Sequence, residues 1–152
     1  MNKLIIYESI HHQNTYKLCK HLKDKYNFDL ISIDELDKDT FNFNNYDLIG
    51  LASGIYGFEY SKEIIDLLNS GSIRNKKVFI LYTSAMDKDS FSKKIIEVVS
   101  TNNKVIGVYH CKGYCTFSFF KWFGGVNKNR PNESDIKLLD SFIENILKSN
   151  DL

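Results

Sequence analysis

No apolar run in this 152-residue sequence approaches the roughly 20 residues that span a bilayer, so no transmembrane helix is expected. Met1-Asn2-Lys3 leads straight into an apolar stretch with no cleavage-site pattern after it, which argues against a secretory signal. Cysteine is scarce. Cys19, Cys111 and Cys115 are odd in number and lack paired spacing, which fits reduced thiols in a cytoplasmic protein better than a disulfide framework. Cys111-x3-Cys115 beside His110 has no second pair to complete a four-ligand zinc site. Acid is missing from one long segment: Val98 to Asn132 contains no Asp or Glu but carries Lys104, Lys112, Lys121, Lys128 and Arg130. Phe28 to Asp66 is the reverse, with nine acids against Lys38 and Lys62. Such segregation bears on partners rather than on fold. The net charge of only +1 argues against nucleic acid as one of them.

The sequence is 43% hydrophobic and 14% aromatic. A chain of this length is expected to form one domain, 1–152, that buries about 70% of its unfolded surface. No repeat, linker or low-complexity tract interrupts it. Lys3–Tyr7, Asp47–Ala52, Lys77–Thr83 and Lys104–His110 are short apolar runs with the character of buried strands, and Phe28–Asp34 alternates at period two. Between them, Thr15–Tyr26, Ser61–Ser70 and Asp89–Asn102 carry apolar residues at helical spacing, whereas Glu35–Asn45 is polar and connecting. A last helix is expected after Pro131, with Asn132 and Asp135 at its start and Ile136, Leu139, Phe142, Ile143 and Ile146 inward.

Strands alternating with helices imply a parallel sheet covered on both faces. Right-handed crossovers favour a three-layer α/β sandwich with strand order 2-1-3-4-5, whose ligand end lies at the carboxyl ends of the strands, between strands 1 and 3. The loops expected there are Glu8–Asn14, Ser53–Tyr60, Ser84–Lys88 and Cys111–Arg130. Ser9, Asn14 and Thr15 stand where free backbone amides and a helix dipole favour an anion, although helix capping alone also accounts for Ser9 and Asn14. No lysine of the phosphate-loop type is present, which disfavours a nucleoside triphosphate. His11 and His12 are adjacent, so their side chains diverge and chelate poorly, but either can lend an anion a hydrogen bond. A receiver domain shares the topology but needs a phosphorylatable Asp at the end of the third strand, where Ala52-Ser53-Gly54 stands instead. Tyr56 and Phe58 bracket Gly57 at the switch point, as aromatic walls for a flat ring would. Tyr114–Phe123, "YCTFSFFKWF", has six aromatics in ten residues among basic ones. This stretch reads either as a clasp for a flat substrate or acidic partner, or as a loop packing its own rings.

"YESIHHQNT" resembles the phosphate loop of flavodoxins, "ASGIYGFEYSKEI" their flavin-ring loop, and "YTSAM" their ring-edge loop. "GGVNKNRPNESDI" is similar to the C-terminal segment of short flavodoxin-family proteins. The resemblance spans nearly the whole chain and implies FMN as cofactor. It assigns Ser9, Ile10, His11, His12, Gln13, Asn14 and Thr15 to the phosphate, and Ser53, Gly54, Ile55, Tyr56, Gly57 and Phe58 to the ring. Thr83, Ser84 and Ala85 go to the ring edge, with Gly113 and Tyr114 beside them. The first loop is one residue longer than in the best-known flavodoxins, and Gln13 stands where glycine is usual. The implied role is to shuttle single electrons between redox partner proteins. The alternative is an FMN-dependent reductase or oxidase acting on a quinone, porphyrin-like or nitroaromatic molecule near Tyr114–Phe123; a binding module without turnover is a third reading.

Overall fold

A computed structural model describes residues 1–150, so the last two positions of the expected 1–152 domain lie outside it. Strand β1 (Lys3–Glu8) leads to α1 (Asn14–Tyr26), β2 (Asp29–Ser32), β3 (Leu48–Gly54), α2 (Lys62–Asn69), β4 (Lys77–Ser84), α3 (Lys93–Ser100), β5 (Lys104–Lys112) and α4 (Glu133–Asn150). The five strands form one parallel sheet in the order β2-β1-β3-β4-β5, as expected.

Period-two alternation assigns strand side chains to opposite faces. Val78, Ile80 and Tyr82 of β4 join Ile64, Leu67 and Leu68 of α2 and Ile95 and Val99 of α3 in one core. Phe79 and Leu81 turn the other way, against Leu18, Cys19 and Leu22 of α1 and Leu139, Ile143 and Ile146 of α4. Both faces are covered, so β3 is buried along its whole length. The edge strand β2 is Asp29–Ser32, shorter than Phe28–Asp34; Phe28 and Ile33 flank it and are buried, and Ile33 N still donates to Tyr7 O at 2.9 Å.

The caps follow local chemistry. Ser61 Oγ accepts from Ile64 N at 3.2 Å and starts α2. Asn132 Oδ1 accepts from the amides of Ser134 and Asp135, and Asp135 Oδ2 accepts in return from Asn132 N at 2.8 Å. This reciprocal pair is a capping box. The expected helix Asp89–Asn102 is divided, because Asp89–Ser92 is a 3₁₀ turn and the α-helix begins only at Lys93. Phe91 thereby lies on the turn ahead of the helix, while still packing against the core of Ile95 and Val99.

Four strands end level at one edge of the sheet, with Glu8 opposite Ser53, Gly54 opposite Thr83, and Ser84 opposite Lys112. A bulge after Val78, where Val105 is followed by the unpaired Ile106, keeps β5 in step with β4 up to that edge. The loops after β1, β3, β4 and β5 meet there.

Candidate functional site

The first loop turns through left-handed backbone at His12 and Gln13, with φ 52° and 55°. Glycine adopts that region without a Cβ penalty, which explains why glycine is usual where Gln13 stands. Ser9 Oγ accepts from Tyr16 N at 3.2 Å and stiffens the loop across the start of α1. Among the described residues the amides of His12, Gln13 and Thr15 donate to no protein acceptor. Those of Ile10 and His11 converge on one oxygen, the Tyr56 hydroxyl, at 3.0 and 3.4 Å. Because that oxygen is an acceptor twice over, its own proton is free to be donated. Tyr56 is therefore no core residue. Its half-buried ring belongs to the second loop and its hydroxyl to the first.

Tyr56 and Glu59 exchange two backbone hydrogen bonds of 3.1 Å around Gly57 and Phe58. Both central residues have positive φ, 58° and 68°, as in a type I′ turn. Phe58 accepts a conformation that costs a side chain energy, and its ring is left 71% exposed rather than in the core. A Cβ on Gly57 would touch nothing within 4 Å, so backbone conformation and not space makes glycine fit there.

Asn14 and Thr15 are buried cross-links. Asn14 Nδ2 donates to the Tyr114 carbonyl at 2.8 Å, and its Oδ1 accepts from Tyr114 N at 3.3 Å. The Thr15 and Thr83 hydroxyls lie 2.9 Å apart. His12 Nε2 meets Thr116 Oγ1 at 2.8 Å, while the His11 ring turns to Tyr56 and Phe117, so the two histidines diverge as adjacent residues should. Loop one is thus tied to the loop after β5 by side chains. What it presents to an anion is chiefly backbone.

These loops enclose a cavity of about 340 Å³, within the range of small-molecule sites. His11, Asn14, Gly54, Ile55, Tyr56, Gly57 and Phe58 line it, together with Thr83, Ser84, Ala85, Gly113 and Tyr114. Ser9, Ile10, His12, Gln13, Thr15 and Ser53 do not line it; Ser53 is buried behind it, its Oγ accepting from Ser61 N at 3.2 Å. Met86, Phe91, Cys115, Phe117, Phe119 and Phe120 complete the wall. Phe91 had no signal in the sequence, since its spacing to Ile95 is equally that of a helix.

Glu8 was also missed. It is buried at the end of β1, where Ser61 Oγ donates to it at 3.0 Å. Burial, and then the neighbouring Glu63 carboxylate, outweigh the Ser61 hydrogen bond and push its pKa up to about 7. An acid closing an apolar strand at the ligand end was the available sign. His110 was weighed only as a metal ligand. Its two ring nitrogens face Asp87 at 2.6 Å and Asp89 at 2.7 Å, pinning the loop after β4.

The sequence model of the flavodoxin domain family matches residues 4–146. An uncharacterized protein of Methanocaldococcus jannaschii is 43% identical over 98% of this chain and 100% of its own. Among solved structures, the flavodoxin of Streptococcus pneumoniae superposes with a TM-score of 0.66 at 20% identity, over 98% of this chain and 99% of that one. A flavoprotein of Lactobacillus acidophilus, solved in complex with FMN, gives 0.58 at 22% identity over 72% and 92%. The family match extends over both halves of the sheet and all four loops of the cavity, so the chain belongs to the flavodoxin family.

Proposed function

We propose that this protein binds FMN at the β1–β3 switch point and passes electrons singly between redox partner proteins. The observation that carries the reading is the juxtaposition of a loop of free amides with an aromatic-walled cavity of about 340 Å³. A flavin mononucleotide has one anion and one flat ring, and the two parts of the site correspond to these. A single anion loop favours FMN over FAD or a nicotinamide dinucleotide. When bound, FMN supplies the redox chemistry.

The chain's own part is to hold and orient. The amides of His12, Gln13 and Thr15 would donate to the phosphate, with the Tyr56 hydroxyl as a further donor. Glu8, kept neutral by burial below about pH 7, does not oppose that anion. Tyr56, Phe58 and Tyr114 would wall the ring, and the backbone of Gly57 and of Thr83–Ala85 would serve its edge. The second reading, an FMN-dependent reductase or oxidase of a small flat molecule, is favoured by Phe117, Phe119 and Phe120, which line the same cavity from the loop after β5.

Heat-released cofactor should be FMN by chromatography; FAD as the dominant species would sink the proposal. Stepwise reduction, followed in the visible spectrum, should then resolve two one-electron stages. A single two-electron stage, with rapid oxidation of a nicotinamide, would replace the carrier with the reductase.

A further inference from the structure

The loop after β5 lends Phe117, Phe119 and Phe120 to the cavity wall, but Trp122 and Phe123 at its tip line nothing there. Cys115 and Val126 exchange backbone hydrogen bonds of 3.0 and 2.9 Å, closing residues 116–125 into a protruding loop with a pinched neck. Left-handed residues Gly124, Gly125 and Asn127 shape that neck, and Asn127 Nδ2 donates to the carbonyls of Ala85 and Gly113. The tip is a 3₁₀ turn, Ser118–Phe123. Phe119 lies 5.2 Å from Phe123 and 5.8 Å from Phe120, so the rings cluster on the turn rather than folding onto the sheet. Phe117 and Phe119 are each 64% exposed, Phe123 72% and Trp122 87%. The rings touch one another on the turn, yet four of them still show most of their area to solvent.

Charge narrows the choice of partner. Lys112, Lys121 and Lys128 are exposed and enter no ion pair among the described residues. Arg130 is engaged by Asp135, and no acid lies anywhere between Val98 and Asn132. Asp87 and Asp89, in the loop after β4, are engaged by His110. Apolar rings at a tip with unpaired lysines around them are the two signals that reversible interfacial binding combines. The indole of Trp122 and the long lysine stems suit a boundary that is apolar on one side and wet on the other. A small cluster of rings on one turn offers no groove for a single nucleic-acid strand to track, whereas a fluid surface needs none.

We propose that residues 116–125 form a wedge that docks the protein reversibly on an anionic phospholipid surface. Trp122, Phe123 and Phe119 enter the headgroup layer, and Lys112, Lys121 and Lys128 lie against lipid phosphates. The wedge shares Phe117 and Phe119 with the cavity wall, so docking brings the cavity mouth to the bilayer. The proposal does not depend on the cavity's taking a flavin.

Trp122 is the only tryptophan, so the protein reports on itself. The full chain, with whatever cofactor it carries, is mixed with vesicles of phosphatidylglycerol and phosphatidylcholine in equal parts, or of phosphatidylcholine alone. The expected result is a blue shift of Trp122 emission and co-sedimentation with the anionic vesicles, both reversed by high salt. Lys121→Gln with Lys128→Gln should weaken partitioning about thirtyfold, at roughly a factor of five per neutralised charge. Phe123→Ser should weaken it too, at unchanged circular dichroism. Protein left in the supernatant with an unshifted spectrum overturns the proposal. So does a shift produced by polyglutamate or single-stranded DNA but not by vesicles, which would assign the loop to an acidic macromolecule.

Discussion

The loop after β1 and the loop after β5 meet at one cavity and are built on opposite plans. In the first, polar side chains turn back to the protein: Ser9 to Tyr16, Asn14 to Tyr114, Thr15 to Thr83 and His12 to Thr116. This leaves the unpaired amides of His12, Gln13 and Thr15 as its outward donors, beside the exposed side chains of Ile10 and Gln13. In the second, the backbone turns inward to make the neck, and apolar side chains are left outward. One loop offers a fixed array of dipoles, suited to a small anion. The other offers apolar area beside mobile cations, suited to a large surface. On the proposed function and docking, this division lets one sheet edge hold a ligand and meet a surface through different chemistry.

The largest expected effect sharpens the account of the first loop, by changing the charge beneath it. Glu8→Gln keeps the contact with Ser61 but removes the ionisation. Below about pH 4.5 the folded and unfolded chains both carry the proton, and the variant should match the parent. Between about 4.5 and 7 only the unfolded parent ionises, so parent stability falls as pH rises; above about 7 the loss is complete. Glu8→Gln should therefore be more stable at pH 8, by about 3 kcal/mol at most. Urea midpoints at pH 4 and pH 8 measure this. Equal midpoints at both would show Glu8 to be solvated, and the polar first loop to rest on no buried acid.

A smaller effect tests whether the two loops are one structure. Asn14→Ala removes both bonds to the Tyr114 peptide and should cost about 1–3 kcal/mol. It should also weaken cofactor retention, measured by flavin release during dialysis. A loss below about 0.5 kcal/mol, within the range of ordinary surface substitutions, would break the comparison by making the loops independent.

Those ties could not be read from the sequence, for a physical reason. Asn14 and Thr15 sit where anion loops place polar residues, and composition cannot tell a side chain turned out to a ligand from one turned in to Tyr114 or Thr83. The sheet order was legible because continuous apolar runs such as Lys77–Thr83 need cover on both faces, and right-handed crossovers leave few orders for five such units. The α4 cap was legible too, since Asn132 and Asp135 act within three residues of each other. Phe91 and Tyr56 were harder. Phe91 depends on a 3₁₀ turn that shares its spacing with a helix. The Tyr56 hydroxyl acts on amides 45 and 46 positions away, a contact that only the assembled β1–β3 edge creates. The Tyr114–Phe123 run left two readings open because self-packing and exposure use the same residues. The structure shows both features at once, with Phe119 against Phe120 and Phe123 and yet 64% exposed.

The smallest expected effect is on folding stability at the tip of the second loop. Trp122 is 87% exposed, and its turn is held by backbone bonds, Gly124 N to Lys121 O and Gly125 N to Phe120 O, which a serine at 122 leaves in place. Removing a ring already in water forfeits little burial, so Trp122→Ser should change stability by no more than about 0.5 kcal/mol. Flavin content should be unchanged, because Trp122 is not among the residues lining the cavity. Chemical denaturation and the visible spectrum check both expectations. A loss above about 1 kcal/mol would mean that the tip rings form a small core of their own. The second loop would then resemble the first, with its side chains serving the fold, and the contrast between them would fail. A neutral result keeps the tip free of any structural duty, leaving its exposed rings and lysines to be explained by what the protein meets.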